Sequence, residues 1–166
     1  MKRWLIVACL MVAAIAALFW LARTIWPDDE GRIRGQLTLL AEAVTFDQTP
    51  TPFGSVARGR QAAQTFTATA RVNINFGGLG NVEGQNAIAA LAAQACQLVS
   101  SVRVAFPDSK IVVSGDSAMV EATGVATGKS RGGESFREVR EFRMRCLRDG
   151  GAWLFASVEE VQPVVQ

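Results

Sequence analysis

The longest apolar stretch of the chain lies at its beginning. Residues Trp4 to Ala22 carry no charge and no proline, and they stand between the basic pair Lys2-Arg3 and Arg23. In a helix these nineteen residues would extend about 28 Å, close to the roughly 30 Å hydrocarbon core of a bilayer. The pattern predicts a membrane anchor over residues 1–26, followed by a single domain over residues 27–166.

Two other interpretations of this apolar segment stay open. A cleaved signal peptide has a shorter apolar stretch and a small residue at the third position before the cut, where Trp20 lies if the cut follows Ala22. A lipoprotein would use Cys9, yet the apolar stretch continues for thirteen residues beyond it. We expect an uncleaved anchor with the short basic N-terminus in the cytoplasm and the domain outside it. The chain would then be a single-pass protein of the inner (plasma) membrane.

Beyond this segment the spacing of apolar positions changes along the chain. Helical spacing after the acidic Asp28-Asp29-Glu30 predicts a first helix that ends at about Val44. A weaker pattern predicts a second helix from Val56 to about Gln64. An alternation with period two predicts a strand from Phe66 to Phe76, and an alanine-rich segment predicts a third helix from Gln85 to about Ser100.

The last third of the chain is a series of strand patterns separated by turn residues. They occupy, in order, Val102–Phe106, Lys110–Val113, Ala118–Thr127, Glu134–Leu147 and Trp153–Val161. A short strand or turn at Val82-Glu83-Gly84 precedes the third helix. The predicted order is helix, helix, strand, short strand, helix and then a run of antiparallel strands, which makes an α+β domain.

Composition removes several classes of chemistry. The chain has neither histidine nor tyrosine, so the commonest general base and the commonest metal ligand are absent. It also lacks CxxC, GxxxxGK[ST] and GxGxxG motifs, and we expect neither a metal nor a cofactor. Three of the 17 basic residues lie in or beside the apolar segment, which leaves 14 against 15 acidic residues. A nearly neutral domain gives no indication of nucleic acid binding.

Two cysteines lie within the domain. Cys96 on the third helix and Cys146 on the long strand are each in phase with apolar neighbours, so we expect both to face the interior between helices and sheet. Two alternatives stay open for them. They form a disulfide outside the cytoplasm, or they are separate buried thiols, which is the more frequent state of such cysteines.

Four local sequences carry a resemblance to a known superfamily. They are the acidic start of the first helix, the strand Ala70–Asn75, the connection Val82–Ile88 into the third helix and the hairpin Leu147–Leu154. In this order they resemble the nuclear transport factor 2-like superfamily, which includes ketosteroid isomerases and SnoaL-like polyketide cyclases. The resemblance covers about residues 28–161. It implies a cone, in which a curved antiparallel sheet wraps around three helices, with a pocket at the open end and often a dimer through the outer face of the sheet.

The resemblance implies a ligand pocket but not the chemistry of the family. Inward-facing residues of the first strand and of the long strand would line the pocket: Val72, Ile74, Phe76, Phe142 and Met144. Isomerases of the family have a general-base aspartate where this chain has Ile74. Their oxyanion-hole tyrosine and the histidine of the cyclases have no counterpart here. We therefore expect no catalytic residue of the family type.

These observations favour a non-enzymatic, membrane-anchored module of the bacterial cell envelope. It would bind a partner protein, a second copy of itself or a small apolar ligand. Anchored members of the superfamily with this architecture include assembly factors of type IV secretion and proteins associated with mammalian-cell-entry transporters. The alternative is a lyase or hydrolase that uses carboxylates in the cone. The acids available away from the first helix are Glu83, Asp108, Asp116 and Glu121.

Charges are concentrated on the long predicted strand. Five arginines interleave there with Glu138 and Glu141: Arg137, Arg140, Arg143, Arg145 and Arg148. We expect a solvated sheet face held by salt bridges. The other interpretations are a dimer or partner surface and a contact with anionic lipid headgroups.

Overall fold

The computed structural model describes residues 28–76 and 79–161 of the chain. The side chains of Phe76 and Leu79 are outside that description. The predicted anchor Trp4–Ala22 also lies outside the described residues. Within them, no helix is long and apolar enough to cross a membrane.

Helices and strands follow one another in nearly the predicted order. The helices of this region are α1 (Asp29–Val44), α2 (Pro52–Ala63) and α3 (Gln85–Leu98). The strands are β1 (Phe66–Phe76), β2 (Leu79–Glu83), β3 (Val99–Ser114), β4 (Ser117–Ser130), β5 (Ser135–Asp149) and β6 (Ala152–Val161).

Capping residues determine where the first two helices begin. The side chain of Asp28 accepts a hydrogen bond from the Gly31 N–H at 2.9 Å, which satisfies a free donor of the first turn of α1. The side chain of Thr51 accepts in the same way from the Gly54 N–H at 3.1 Å. Because Pro52 suits the first helical position, α2 starts four residues before the predicted Val56.

The six strands form one sheet in the order β2-β1-β6-β5-β4-β3. Neighbouring strands are antiparallel except β1 and β6, which are parallel. The sequence-based expectation of a wholly antiparallel sheet is therefore wrong. Helix α3 carries the chain from β2 at one edge to β3 at the other, and the meander β3-β4-β5-β6 then brings it back beside β1 in the same direction. The domain is α+β with a curved mixed sheet and three described helices.

Strand β3 joins two segments that the sequence presents separately. Val102–Phe106 and Lys110–Val113 are parts of one continuous strand at the edge of the sheet. The pairing with β4 shifts between Ala105 and Asp108, where Pro107 lies. Proline has no N–H to give to a strand ladder, and an irregularity on an edge strand accommodates it.

The core lies between the inner face of the sheet and the helices, and it has two parts. The larger part includes Ile33 and Leu37 of α1 together with Met144, Trp153 and Phe155 of the sheet. The smaller part is formed by Phe46, Cys96 and Val99.

The two cysteines of the domain belong to different parts of the core. Both are buried and both are free thiols, with Cys146 in the larger part and Cys96 in the smaller one. The structure thus has separate buried thiols rather than a disulfide.

A polar cluster fixes the start of α1 to the hairpin between β5 and β6. The carboxylate of Asp29 accepts from the guanidinium of Arg148 at 2.6 Å and from the indole N–H of Trp153 at 2.9 Å. The guanidinium also lies over the Trp153 ring, 4.9 Å from its centroid. We call these three residues the Asp29 cluster. It holds α1 across the sheet at the end where the preceding chain joins the domain.

Candidate ligand-binding cavity

An apolar cavity of about 270 Å³ lies between the concave face of the sheet and helices α1 and α3. Apolar side chains from both layers make up most of its wall: Leu40, Val44, Phe46, Phe66, Val72, Ile74, Ile88, Leu91, Ala92, Ala95, Cys96, Val102, Val104, Phe106, Phe142, Met144 and Val158. Such a concave, mostly apolar site with few polar groups is the usual form of a small-molecule site.

Small residues on α3 and β4 leave the space open. Ala92 and Ala95 face the cavity from α3, where longer side chains would fill it. On the opposite wall the rings of Phe106 and Phe142 meet edge to face, with their centroids 6.4 Å apart. Gly124 lies beneath them, and a Cβ at that position would be only 2.7 Å from the Phe142 ring. Glycine at 124 therefore keeps the Phe142 ring where it is.

Most of the residues assigned to the pocket from the sequence lie together in this cavity. Val72 and Ile74 line it from β1, and Phe142 and Met144 line it from β5. The structure describes the backbone of Phe76 but not its side chain.

The four acids considered for catalysis lie elsewhere. Glu83, Asp108, Asp116 and Glu121 are all exposed, and none of them lines the cavity.

Three charged residues that the sequence analysis did not assign to the site do line the cavity. They are Glu138 and Arg140 on β5 and Glu160 on β6, here called the rim cluster. The alternation along β5 could have identified two of them. Residues 138 and 140 have the same parity as the inward-facing Phe142 and Met144.

We expected the charged residues of the long strand to share one solvated face, and this expectation is wrong for some of them. Arg137, Arg143 and Arg145 are exposed, whereas Glu138 and Arg140 point inward and are only half-buried. Arg148 belongs to the Asp29 cluster.

Hydrogen bonds join the rim cluster into one unit. Arg140 donates from Nε and Nη2 to Oε2 of Glu138, at 3.2 and 3.0 Å, and from Nη1 to Oε1 of Glu160. The other oxygen of Glu160 accepts from the backbone N–H of Asn75 at 2.7 Å. The cluster thus connects β5 and β6 to the end of β1.

Exposure shows which end of the cavity is open. The side chains of Glu138 and Arg140 are 42% and 38% exposed, whereas Met144, further along the same face of β5, is 1% exposed. The cavity is closed toward Met144 and opens at the rim cluster.

The surroundings of Glu160 make it a poor general base. Burial by itself would raise the pKa of Glu160, but the hydrogen bonds from the Asn75 N–H and from Arg140 outweigh burial and hold the pKa below its usual value. The same contact with Glu160, and then the one with Glu138, raises the pKa of Arg140. Glu160 therefore stays ionised with both oxygens engaged, and it has little tendency to accept a proton.

Other reactive groups of the domain are equally unsuited to nucleophilic chemistry. Burial raises the pKa of the Cys146 thiol to about 12, and burial also raises the pKa of Cys96. Ser130, within Gly128–Gly132, has the spacing of a nucleophile elbow, but it is the last residue of β4, which a hairpin joins to another strand rather than to a helix. The chain also has no histidine to activate it. No group of three or more cysteines and carboxylates among the described residues could hold a metal ion.

Comparison with solved structures shows the same fold in several bacterial proteins. A nuclear transport factor 2-like protein with a cystatin-like fold from Novosphingobium aromaticivorans is 16% identical, with a TM-score of 0.64 over 92% of this chain and 90% of that one. A proposed aromatic ring hydroxylase from the same organism is 17% identical, with a TM-score of 0.66 over 83% of this chain and 94% of that one. A proposed dehydratase of the same superfamily from Streptomyces avermitilis is 15% identical, with a TM-score of 0.63 over 82% and 97%.

The likeness to these structures extends to the fold alone, because the identities are low. No curated protein matches the sequence significantly. The SnoaL-like domain family, in contrast, matches residues 56–159, which is more than half of the chain and includes β1 to β5, most of β6 and most of the cavity wall. The chain therefore belongs to the SnoaL-like domain family within the nuclear transport factor 2-like fold.

Proposed function

We propose that this chain is a membrane-anchored, non-enzymatic binding module of the bacterial cell envelope whose domain holds a small apolar ligand. The observation that carries the proposal is the apolar cavity of about 270 Å³, closed toward Met144 and open at the rim cluster. A homodimer, or a complex with an envelope protein, is part of the same proposal and would leave the cavity free for its ligand.

The energetic disadvantage of an empty cavity supports a binding role. Cavities in protein cores lower stability by about 24 cal/mol per Å³, which for 270 Å³ would amount to about 6 kcal/mol in a fully enclosed site. This figure is an upper limit, because the rim is open to water. A chain that keeps Ala92, Ala95 and Gly124 at the wall gives up part of this stability, and an apolar ligand restores it.

The chemistry of the wall supports binding without catalysis. Ile74, at the position of the general base in the family's isomerases, contributes only aliphatic surface to the cavity. The carboxylate of Glu160 has both oxygens in hydrogen bonds and a lowered pKa. The wall thus offers apolar surface to a ligand, and neither Ile74 nor Glu160 is suited to act as an acid or a base.

The apolar segment Trp4–Ala22 supports the anchored location. Its nineteen residues match the roughly 30 Å hydrocarbon core of a bilayer, and the domain begins six residues later, at Asp28. Mass spectrometry of the membrane fraction should find Arg23 joined to the residues that precede it. A mature N-terminus between residues 14 and 28 would contradict the anchor.

Photolabelling of the full chain in a neutral detergent tests the ligand proposal. Decanol carrying an alkyl diazirine is the probe, and peptide mapping locates its adducts. We expect labelling of α3 and of the inner face of β5, and competition by unlabelled decanol. Substituting Ala95→Leu should strongly reduce these adducts because its three added carbon atoms occupy part of the cavity. Ala90→Leu on the exposed face of the same helix is the matched control and should leave them intact. Adducts that are unchanged by Ala95→Leu would refute ligand binding in the cavity.

A lyase or hydrolase that acts in the cone is the second candidate. It is favoured by the position of Glu138, a carboxylate at the cavity mouth whose Oε1 accepts no hydrogen bond from the described residues. The likeness to a proposed dehydratase is of fold alone and adds only a precedent. Incubation with unsaturated and hydroxylated decyl compounds should reveal turnover that Glu138→Gln abolishes. If the compounds bind and are recovered unchanged, binding without catalysis is the better account.

A further inference from the structure

We infer that the cavity selects apolar ligands whose polar end is an amine or another cation, over ligands of the same length that end in a carboxylate. The inference rests on the proposed function and names the ligand class of the same cavity. It follows from the charge and the hydrogen bonds of the rim cluster.

The rim cluster is negative as a unit. It contains two carboxylates and one guanidinium, and they are the charged residues in the lining of the cavity. A ligand that fills the apolar part of the cavity has to leave its polar end at the open end, because burying that end against Met144 would leave it without a partner. The polar end therefore meets a site with an excess of one negative charge.

Arg140 is poorly placed to bind a carboxylate from a ligand. Three of its five N–H groups are already engaged, two by Glu138 and one by Glu160. The Glu160 side chain is only 9% exposed. Turning Arg140 toward a ligand would leave that buried carboxylate without its cation, which is strongly unfavourable. An anionic headgroup would thus gain at most the two remaining N–H groups of a guanidinium whose charge Glu138 and Glu160 already offset.

Glu138 is available to bind a cation. Arg140 occupies only its Oε2, so Oε1 keeps its acceptor capacity among the described residues. Its side chain is 42% exposed and lies at the cavity mouth. An ammonium group at the end of an alkyl chain would donate to Oε1 while the chain lies against the apolar wall. Charge-assisted hydrogen bonds of this kind are stronger than neutral ones.

The test compares three diazirine probes that share a decyl chain and differ only in their headgroup: decylamine, decanol and decanoate. Each labels the full chain in a neutral detergent at pH 7. The measured quantity is the adduct yield on peptides of the cavity wall, with the yield that excess unlabelled probe does not displace subtracted as background. We expect the amine to label more than the carboxylate by about fivefold, the size expected for one half-exposed charge pair, with the alcohol between them.

Two substitutions on β5 distinguish the effect of the rim cluster on the labelling ratio from the effect of the net charge of the domain. Glu138→Gln removes the proposed acceptor, and the amine-to-carboxylate ratio should fall to near one. Glu141→Gln makes the same change of net charge on the exposed outer face of the strand, and it should leave the ratio unchanged. Labelling by decanol should persist in both variants.

The outcomes distinguish the inference from the proposed function. Equal labelling by all three probes, or a preference for decanoate, would overturn the inference while leaving apolar binding intact. An amine preference that persists in Glu138→Gln would overturn it as well. If none of the probes labels the cavity wall, the proposed function fails and the inference fails with it.

Discussion

Narrowing the cavity from α3 should make the protein more stable and at the same time weaken ligand binding. Ala95 faces the cavity from the last turn of the helix. Leucine at this position adds three carbon atoms to a side chain that already points into free space. The change therefore tests whether the space between α3 and the sheet exists in solution.

The magnitude follows from burial and side-chain entropy. Three buried carbons at about 0.8 kcal/mol each contribute roughly 2.4 kcal/mol. Fixing a leucine side chain costs about 0.5–1 kcal/mol, so the net gain from Ala95→Leu should be about 1–2 kcal/mol. For a domain of this size each kcal/mol raises the melting temperature by about 2–4 °C.

The assay is thermal and urea unfolding of the full chain, followed by the fluorescence of Trp153 and the other tryptophans, with decanol labelling measured on the same samples. Ala90→Leu introduces the same residue on the exposed face of α3. Its effect on the free energy of unfolding should stay within about 0.5 kcal/mol. A loss of more than about 1 kcal/mol in Ala95→Leu would mean that the side chain has no free space to enter. The reasoning from cavity to binding site would then be wrong.

Four further substitutions test other parts of the structure. Because its folded-state pKa is lowered, Glu160 contributes stability above its unfolded pKa of about 4.3 that is lost as the pH falls. The free energy of unfolding of Glu160→Gln should depend less on pH between about 5 and 2 than that of the wild type. Equal slopes of the free energy of unfolding against pH would contradict this. Cys146→Ser should lower the free energy of unfolding by about 1–3 kcal/mol through a poorly paired buried hydroxyl, as urea titration would show. Asp29→Ala should lower it by about 2–4 kcal/mol, because the buried Trp153 N–H and Arg148 lose their acceptor; Glu30→Ala is the exposed control. Ile74→Asp places a carboxyl in an apolar wall, so its pKa should rise and the stability deficit should grow as the pH rises above about 4. A deficit that does not depend on pH would mean that residue 74 is solvated.

The local elements of the fold could be predicted from the sequence because they depend on spacing within one segment. The period of two from Phe66 and the alanine-rich helix from Gln85 are both in the structure. The parallel pairing of β1 with β6 could not be predicted in this way. It joins residues that are 86 to 89 positions apart in the sequence, and it depends on how the meander closes rather than on either strand alone.

The site was predicted only in part, for a physical reason. Apolar residues such as Val72 and Phe142 follow the rule that an inward face is apolar. Glu138 and Arg140 break this rule, because each neutralises part of the charge of the other within the cavity mouth. The size of the cavity depends on Ala92, Ala95 and Gly124 facing one another across two layers, a relation that no single segment contains.

Helix α1 acts as a spacer between the point where the preceding chain joins the domain and the open end of the cavity. The Asp29 cluster fixes its first turn, and Val44 in its last turn lines the cavity. Its 16 residues rise about 24 Å, and the ten residues from Arg148 to Glu138 on β5 cover roughly 33 Å of extended strand. The opening therefore lies at the end of the domain away from Asp28. If the proposed anchor holds the residues before Asp28 in a bilayer, the opening stays uncovered, and a ligand can be exchanged with the aqueous space or with another protein while the chain remains attached.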